Sequence, residues 1–252
     1  MKYFKNLPLD RMSNCRDLGG YPTKYGTLTK FGVFLRSEAP VELTKRDIAM
    51  LLDYGVKKSL DFRGDGDLVT FPSSLDTDGV EYVHLPMFGR ADALGFESDG
   101  EDPSKGFSGW GKSYIQWIEC YKGWVRDVFH ELASTDGVCQ FNCNAGKDRT
   151  GIISALILAV CGVGLSDIAF DYNVSRAMLK PRFPQLARQW GDYLKDEGGK
   201  LIPNHPFLFT PKEAMIQLFQ YIYSKYSTAE KYLLSCGVTE DEIETIRKKL
   251  AG

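Results

Sequence analysis

The chain has 252 residues, a formal net charge of −2 and 43% apolar residues. This length accommodates one large α/β domain or two small ones, and the apolar content is sufficient for a substantial core. A net charge so close to zero excludes an overall basic field that would attract nucleic acid or an anionic membrane. The six cysteines and three histidines form no paired motif, so we expect neither a structural zinc site nor a disulfide framework. The sequence contains no long apolar run of the kind that predicts a membrane span, and its N-terminus lacks a signal-peptide pattern. We therefore expect a cytoplasmic protein without integral membrane contact.

Strands and helices alternate in the patterns of the first half of the chain. A strand is predicted over residues 33–36, followed by a helix with a capping box at Thr44 and an end at Gly55. Further strands are predicted over residues 58–62 and 81–85. Residues 89–111 are rich in Gly, Asp, Glu and Ser and are predicted to form a long mobile loop, and loops of that length are often functional.

The middle of the chain continues this alternation. Apolar residues recur at helical spacing over residues 114–132, which predicts an amphipathic helix. A strand is predicted over residues 138–141, and residues 152–161 are apolar on all sides, as expected of a central buried helix. The pattern indicates an α/β fold with a mainly parallel central sheet flanked by helices.

The last third of the chain is predicted to be helical. Ser166 is expected to cap a helix that runs to about Leu179, and residues 184–195 show a weaker amphipathic pattern. Capping boxes at Thr210 and Thr239 predict two more helices. Because no flexible linker stands out, we expect one domain, residues 1–252, with residues 165–252 as a helical extension packed on the core.

The segment between strand 138–141 and helix 152–161 carries the clearest chemistry. Cys143 follows the strand and Arg149 opens the helix. Backbone N–H groups at a helix N-terminus bind phosphate, and the small residues of the loop allow the backbone to curl around its oxygens. Arg149 can bind two of these oxygens, and the same positive field favours the nucleophilic thiolate form of Cys143. The residues between them that we predict to bind phosphate are Asn144, Ala145, Gly146 and Lys147.

The Cys–Arg spacing is not specific by itself. Cys120 and Arg126 repeat it, with Gly123 at the same offset as Gly146. Cys120 is predicted to lie inside the amphipathic helix, where N–H groups are bonded to carbonyls four residues earlier and cannot bind an anion. The combination of strand, glycine loop, Arg-Thr-Gly and buried helix is therefore the specific signal.

Residues 143–151 resemble the signature loop of cysteine-dependent protein tyrosine phosphatases. Residues 14–21 resemble the Asn-x-Arg-Asp-x-Gly-Gly motif of a mostly microbial tyrosine phosphatase family, and the similarity continues at residues 35–38, 60–63, 171–172 and 232–239. Members of that family often act on phosphotyrosine, other phosphoproteins or phosphoinositides. The resemblance spans nearly the whole chain and implies the tyrosine-phosphatase α/β fold and a two-step reaction without metal or cofactor.

The resemblance implies roles for residues beside the nucleophile. The hydroxyl of Thr150 would donate to the Cys143 sulfur and ease its departure when water cleaves the intermediate. Lys147 would add phosphate affinity, and its similarity to lipid-phosphatase loops suggests inositol phosphates. The family usually has His before the nucleophile where this chain has Asn142, which donates hydrogen bonds but carries no charge. We expect Asn142 to weaken activation of the thiolate without abolishing the reaction.

The general acid has two candidates of equal weight. Asp148 lies inside the loop, where some phosphoinositide phosphatases place this residue. Asp92 lies in the predicted mobile loop, which resembles the usual location in the family, although the Pro-Asp step of the family is not reproduced there. Asp99 and Glu97 are weaker candidates.

Residues outside the loop are expected to support it. Asn14, Arg16 and Asp17 would brace the loop or approach the phosphate. Arg63 ends a strand at the expected active-site edge, and the alternative is that it pairs with Asp61 or Asp65.

We therefore predict hydrolysis of phosphate monoesters, with phosphotyrosine proteins as the first choice of substrate. A deep pocket suits an aryl phosphate, whereas Lys147 and Asp148 favour phosphoinositides as the alternative. A second alternative is a phosphate-binding protein that has lost its catalytic activity, because Asn142 stands where the family usually has His. A rhodanese-like sulfurtransferase also uses a loop cysteine, but the Arg-Thr-Gly ending and the N-terminal motif favour a phosphatase.

Overall fold

A computed structural model describes residues 5–88, 108–189, 195–196, 198–200, 202 and 208–252. Within these ranges the strands are β1 Arg16–Asp17, β2 Phe34–Ser37, β3 Val56–Asp61, β4 Glu81–His84 and β5 Val138–Asn142. They form one sheet in the order β1-β2-β5-β3-β4, in which β1 runs antiparallel to β2 and the other neighbours are parallel. The predicted α/β fold is confirmed. Strand β1 was not predicted because two residues are too few to show a period.

Helices flank this sheet and make up most of the last third of the described chain. Their bounds are α1 Lys45–Tyr54, α2 Asp65–Thr70, α3 Ser108–Cys120, α4 Lys122–Ser134, α5 Arg149–Val160, α6 Leu165–Leu179, α7 Phe183–Gln189, α8 Lys212–Tyr226, α9 Ala229–Cys236 and α10 Glu240–Ala251. No helix among the described residues is long and apolar enough to cross a membrane.

Helix α5 lies at the centre of the fold, as its apolar sequence predicts. All of its residues except Arg149 and Ala159 are buried. It packs against β2 and β5 on one side and against α6, α9 and α10 on the others. Its first turn is therefore held in a fixed position at the sheet.

The sheet register brings three strand ends to one level. Ser37 of β2 and Asp61 of β3 are both paired with Asn142, the last residue of β5. The loop after β5 thus leaves the sheet at the carboxyl ends of parallel strands, the edge where α/β proteins bind ligands.

Two of the predicted helix caps are confirmed. Thr44 and Asp47 form a reciprocal capping box at α1, and that helix ends at Gly55 with a left-handed backbone, φ 106°. Thr239 and Glu242 form the same arrangement at α10. In both cases the side-chain oxygen accepts an N–H that has no partner within the helix.

Two other predicted caps are wrong. Helix α6 is capped by Gly164 and begins at Leu165, so Ser166 lies in its first turn. Helix α8 is capped by Pro211, because the Thr210 hydroxyl donates instead to the carbonyl of Asn173, 2.7 Å away. That bond ties α8 to α6.

The stretch predicted as one amphipathic helix, residues 114–132, is two helices. They meet at Tyr121, whose backbone is not helical (φ −116°, ψ 39°). Helix α3 begins at Ser108, so residues 108–111 belong to a helix and not to the predicted loop, whose residues 89–107 lie outside the described chain. The weaker helix predicted over residues 184–195 is observed as α7, and residues 190–194 lie outside the described ranges.

Candidate active site

The segment from Cys143 to Arg149 forms a tight loop between β5 and α5. Gly146, at its middle, has φ 64°, in the left-handed region that favours glycine. A Cβ at this position would lie 2.1 Å from the carbonyl oxygen of Ser37 at the end of β2. Glycine is thus required here both for the backbone conformation and for the contact between loop and sheet.

The carbonyls of the loop are bound from behind. The side-chain amide of Asn14 donates to the carbonyls of Ala145 and Gly146, at 3.0 and 3.2 Å. The Arg36 guanidinium donates to the carbonyl of Gly146 at 2.7 Å, and the Ala39 N–H donates to that of Asn144 at 3.0 Å.

These bonds determine where the loop N–H groups point. In a trans peptide the N–H and the C=O point in opposite directions. The N–H of Ala145 is therefore directed away from Ala39, and those of Gly146 and Lys147 are directed away from Asn14 and Arg36. Several N–H groups that converge ahead of a helix N-terminus form a site for an anion.

The bracing residues are themselves held by one buried carboxylate. Asp171 of α6 binds Arg16 at 2.9 Å and Arg36 at 2.5 Å, and it accepts a hydrogen bond from Tyr21 at 2.7 Å. Burial alone would raise the pKa of Asp171, but the charges of Arg16 and Arg36 outweigh it and hold that pKa well below its usual range. Burial and the nearby Arg16 lower the pKa of Arg36 to about 10. Two guanidinium groups sharing one carboxylate leave positive charge behind the loop.

Arg16 was predicted to brace the loop or to approach the phosphate. All three of its side-chain nitrogens are bonded, to Asp171, Asn14 and Ser175, and the side chain is buried. It holds the side chain of Asn14 at 2.6 Å and so supports the loop indirectly. Its direct contact with a phosphate stays a prediction.

Asp17 and Arg63 have other partners. Asp17 accepts hydrogen bonds from Tyr54 and from the backbone of Gly19 and Gly32, so it stabilises the turn after β1. Arg63 pairs with Asp61 at 2.7 Å and donates to the carbonyl of Phe71. The pairing with Asp61 is the alternative that the sequence analysis named, and phosphate binding by Arg63 stays a prediction.

The predicted nucleophile and arginine lie at the two ends of the loop. Cys143 is buried, with 2% of its surface exposed, and follows β5 directly. Arg149 is the first residue of α5 and is half-buried. It donates to the carbonyl of Phe62 at 2.7 Å, and its guanidinium lies 5.2 Å from the ring centre of Phe88.

Lys147 and Asp148 form an ion pair inside the loop. The Lys147 ammonium lies 2.6 and 2.7 Å from the two carboxylate oxygens of Asp148 and 4.5 Å from the ring centre of Trp110. Lys147 is buried, whereas 13% of the Asp148 side chain is exposed. Tyr114 of α3 also donates a hydrogen bond to Asp148.

Two buried donors that flank the loop have no hydrogen-bond partner in the described structure. They are the side-chain amide nitrogen of Asn142 and the hydroxyl of Thr150. The Asn142 oxygen accepts from Gln140 at 3.0 Å, which fixes the orientation of the amide. An unsatisfied buried donor costs roughly 1–3 kcal/mol, so these two groups are candidates for a role in chemistry. The bond from Thr150 to the Cys143 sulfur stays a prediction.

Some predicted residues lie outside the described chain, and some contributing residues were not predicted. Asp92, Glu97 and Asp99 fall in residues 89–107. Arg36, Asp171 and Tyr172 are not predicted individually from the sequence. They lie in segments that resemble the tyrosine phosphatase family, and this resemblance is the signal that could have identified them as site residues. Among the described residues, no group of three or more His, Cys, Asp or Glu side chains could hold a metal ion.

Comparison with known proteins identifies the chain. The family model described as the tyrosine phosphatase family matches residues 7–252. The chain belongs to the tyrosine phosphatase family. A tyrosine-protein phosphatase from Nostoc commune is 28% identical over 234 residues, which are 91% of this chain and 78% of the relative. A putative tyrosine-protein phosphatase from Cupriavidus necator is 27% identical over 184 residues, 66% of this chain and 62% of the relative.

Solved structures that are similar to this protein-tyrosine phosphatase include two of P. aeruginosa TpbA. The crystal structure of P. aeruginosa TpbA aligns with a TM-score of 0.36 at 15% identity and covers 81% of this chain and 86% of TpbA. A TpbA variant in complex with pTyr aligns with a TM-score of 0.34 at 14% identity, with the same coverage. The family assignment rests on the sequence match, which supports the phosphatase prediction over the sulfurtransferase.

Proposed function

We propose that this phosphatase hydrolyses phosphotyrosine in proteins through a phosphocysteine intermediate on Cys143. The observation that carries the proposal is the orientation of the loop: its carbonyls are bound by Asn14, Arg36 and the backbone, so its N–H groups face the opposite side. Cys143 and Arg149 lie at the two ends of that arc. A dianion bound by the N–H groups would stand in line with the sulfur.

In the first step the Cys143 thiolate forms a bond to phosphorus while the bond between phosphorus and the tyrosine oxygen breaks. Arg149 exchanges its bond to the Phe62 carbonyl for two phosphoryl oxygens, and with the loop N–H groups it stabilises their charge in the transition state. We assign the proton for the leaving oxygen to Asp148. The bound dianion competes for Lys147 and places negative charge beside Asp148, and both effects favour the protonated carboxyl.

In the second step a water molecule attacks phosphorus and gives a proton to Asp148. The sulfur–phosphorus bond breaks, which returns the thiolate and inorganic phosphate. The unpartnered donors are buried at the two ends of the loop, Asn142 directly before Cys143 and Thr150 directly after Arg149, and we assign them the stabilisation of the departing sulfur. Because Asn142 carries no charge, this stabilisation is weaker than that of the family His.

The substrate proposal follows from the charge balance of the loop. Lys147 is enclosed in the loop, with 1% of its side chain exposed, so we infer that it serves Asp148 and the scissile phosphoryl group and is not presented to the further phosphates of an inositol lipid. The chain as a whole carries a charge of −2. Both facts favour a phosphotyrosine side chain over a phosphoinositide. We further propose that residues 1–252 act as one phosphatase domain, because Asp171 in the helical third holds Arg16 and Arg36 behind the loop.

The test is phosphate release from a phosphotyrosine peptide and from a phosphoinositide panel in excess EDTA. We expect turnover of the peptide by the wild type and the Asp92→Asn variant, a large loss in Asp148→Asn and none above background in Cys143→Ser. Preference for a phosphoinositide would replace the substrate assignment. Full activity of Asp148→Asn together with loss in Asp92→Asn would move the general acid to Asp92.

A further inference from the structure

Two buried tyrosines stand behind Asp148, and the reaction proposed above does not use them. Tyr114 of α3 donates a hydrogen bond to Asp148 Oδ1 and shares a second one, 2.6 Å long, with the hydroxyl of Tyr172 on α6. Both side chains have no exposed surface. Their rings meet edge to face with centres 6.0 Å apart.

The first turn of α5 is built to admit this pair. A Cβ on Gly151 would lie 2.9 Å from Cδ2 of Tyr172. A larger residue at position 151 would push Tyr172 away from α5 and with it the hydroxyl that contacts Tyr114. Glycine at position 151 is therefore required by the close contact with Tyr172, in addition to being part of the motif.

We propose that Tyr114 is a positioning residue for Asp148 and that Tyr172 holds Tyr114 in place. The proposal rests on the function proposed above, in which Asp148 is the general acid. Lys147 is bonded to both oxygens of Asp148, and in the proposed reaction the bound dianion draws it away. Because Tyr114 still occupies Oδ1, the proton that Asp148 exchanges is then confined to Oδ2. A carboxyl held in one orientation delivers its proton along one direction, which is what transfer to a bound leaving oxygen requires.

Charged and polar groups from four elements surround Asp148. Lys147 is bonded to Asp148 within the loop and Arg149 follows it as the first residue of α5, while Tyr114 and Tyr172 approach from α3 and α6. Arg36 of β2 lies on the other side of the loop, bonded to the carbonyl of Gly146. Burial, reinforced by the charge of Asp148, raises the pKa of Tyr114 well above its usual value. The phenol thus keeps its proton and stays a hydrogen-bond donor across the neutral range.

The test compares Tyr114→Phe, Tyr172→Phe and Tyr232→Phe in the full-length chain. Tyr232 is the matched control, because it is equally buried and its hydroxyl donates to a backbone carbonyl of α3, that of Ile118, at 2.9 Å, with no contact to the loop. We expect Tyr114→Phe to lower kcat on a phosphotyrosine peptide by about 10- to 100-fold, the factor for losing a hydrogen bond to a charged group. Tyr172→Phe should lose less, and Tyr232→Phe should keep the wild-type kcat.

Two readouts separate positioning from mere structural support. 4-Nitrophenyl phosphate, whose leaving group needs less protonation, should be affected less than phosphotyrosine. The loss should fall on kcat and leave KM within about twofold of the wild type, because the loop N–H groups that bind the phosphate keep their positions.

The double variant Tyr114→Phe with Asp148→Asn decides the matter. If Tyr114 acts through Asp148, the double variant has the kcat of Asp148→Asn alone, so Tyr114→Phe adds no further loss in that background. An equal loss from Tyr114→Phe with and without Asp148 would overturn the proposal, as would a wild-type kcat in Tyr114→Phe. If Asp148→Asn itself keeps the wild-type kcat, the general-acid assignment fails first and the role of Tyr114 fails with it.

Discussion

Two segments of this phosphatase carry the same spacing of cysteine, glycine and arginine in opposite surroundings. Cys143 ends a strand and Arg149 opens a buried helix, whereas Cys120 is the last residue of α3 and Arg126 lies within α4. Near Cys120 the N–H groups of Tyr121 and Val125 donate to carbonyls four residues earlier. Around Gly146, by contrast, the carbonyls are bound from behind and the N–H groups face forward. The orientation of the backbone decides which of two identical spacings can hold a phosphate.

The arginines differ in the same way. Arg126 is 52% exposed and pairs with its neighbour Asp127 at 2.8 Å. Arg149 is half-buried and binds the carbonyl of Phe62 at the end of β3, a partner that an anion can replace. The Cys120 segment thus provides a control for three residues of the loop: Cys120 for Cys143, Gly123 for Gly146 and Arg126 for Arg149. Three of the predictions below use these pairs.

The largest expected difference is between Cys143→Ser and Cys120→Ser. Loss of the nucleophile should reduce kcat on a phosphotyrosine peptide by at least about 10⁴-fold. Cys120→Ser should keep kcat within about twofold of the wild type, since a half-buried thiol in a helix takes no part in the reaction. Steady-state phosphate release measures both. Comparable activity of the two variants would contradict the assignment of the nucleophile.

Arg149→Ala and Arg126→Ala form the second pair. Removal of Arg149 should lower kcat by about 10²- to 10³-fold, because the transition state loses a bidentate donor. Arg126→Ala should leave kcat unchanged and cost at most about 1 kcal/mol of stability, as expected for an exposed ion pair. Steady-state kinetics measures kcat for both variants, and urea unfolding measures their stability as the control. A fall in kcat for Arg126→Ala would contradict the comparison.

Asp171→Asn should destabilise the fold, and the effect should depend on pH. At pH 7 we expect a loss of about 3 kcal/mol, because Arg16 and Arg36 lose their shared buried carboxylate. The folded-state pKa of Asp171 lies below the unfolded value of 3.8, so its stabilisation is present above that pH and is lost as the pH falls below it. The two unfolding free energies should therefore converge below pH 3.8.

Asp127→Asn provides the control for this pH dependence. Asp127 pairs with the exposed Arg126, so its loss should change the unfolding free energy by less than about 1 kcal/mol at pH 7. Urea unfolding measured between pH 3 and 7 compares the two variants. A constant difference between wild type and Asp171→Asn across that range would show that the charge of Asp171 is not what holds the cluster together.

The two glycine variants are expected to differ less in stability than Asp171→Asn and Asp127→Asn do. Gly146→Ala would place a Cβ 2.1 Å from the Ser37 carbonyl in a left-handed backbone, so we expect a loss of about 1–3 kcal/mol and a displaced loop with lower kcat. Gly123 lies in α4, where alanine fits the helical backbone, and its replacement should change stability by less than about 1 kcal/mol. Thermal unfolding compares them, and equal stability of both variants would exclude the close contact at Gly146.

The phosphate loop could be predicted from sequence because its signals are local. A strand, small residues, an arginine and an apolar helix follow one another within 24 positions of the chain, residues 138–161. The capping boxes at Thr44 and Thr239 are equally local, and both are observed. Where a tertiary partner competes, the local signal fails, as it does when Thr210 bonds to Asn173 instead of capping α8.

The contacts that support the loop could not be predicted, because they join residues far apart in the chain; the motif match marks Arg36, Asp171 and Tyr172 but not which residues they contact. Arg36 meets Asp171 across 135 positions of the chain, and the Tyr114 and Tyr172 hydroxyls meet across 58. In the sequence Tyr114 is one apolar residue in an amphipathic pattern, with nothing that distinguishes it from a core residue. These side chains reach Asp148 because the tertiary fold brings α3 and α6 together at the loop.

The most direct test of the account is to trap the covalent intermediate. The wild-type enzyme would be mixed with a phosphotyrosine peptide, quenched in acid within the first turnover and digested, and its cysteine peptides would be examined by mass spectrometry. A reaction through a phosphocysteine intermediate on Cys143 predicts one phosphoryl group on the peptide that contains Cys143 and none on the peptide that contains Cys120. Phosphate release by the wild type with no phosphoryl adduct on Cys143, or with an adduct elsewhere, would contradict it.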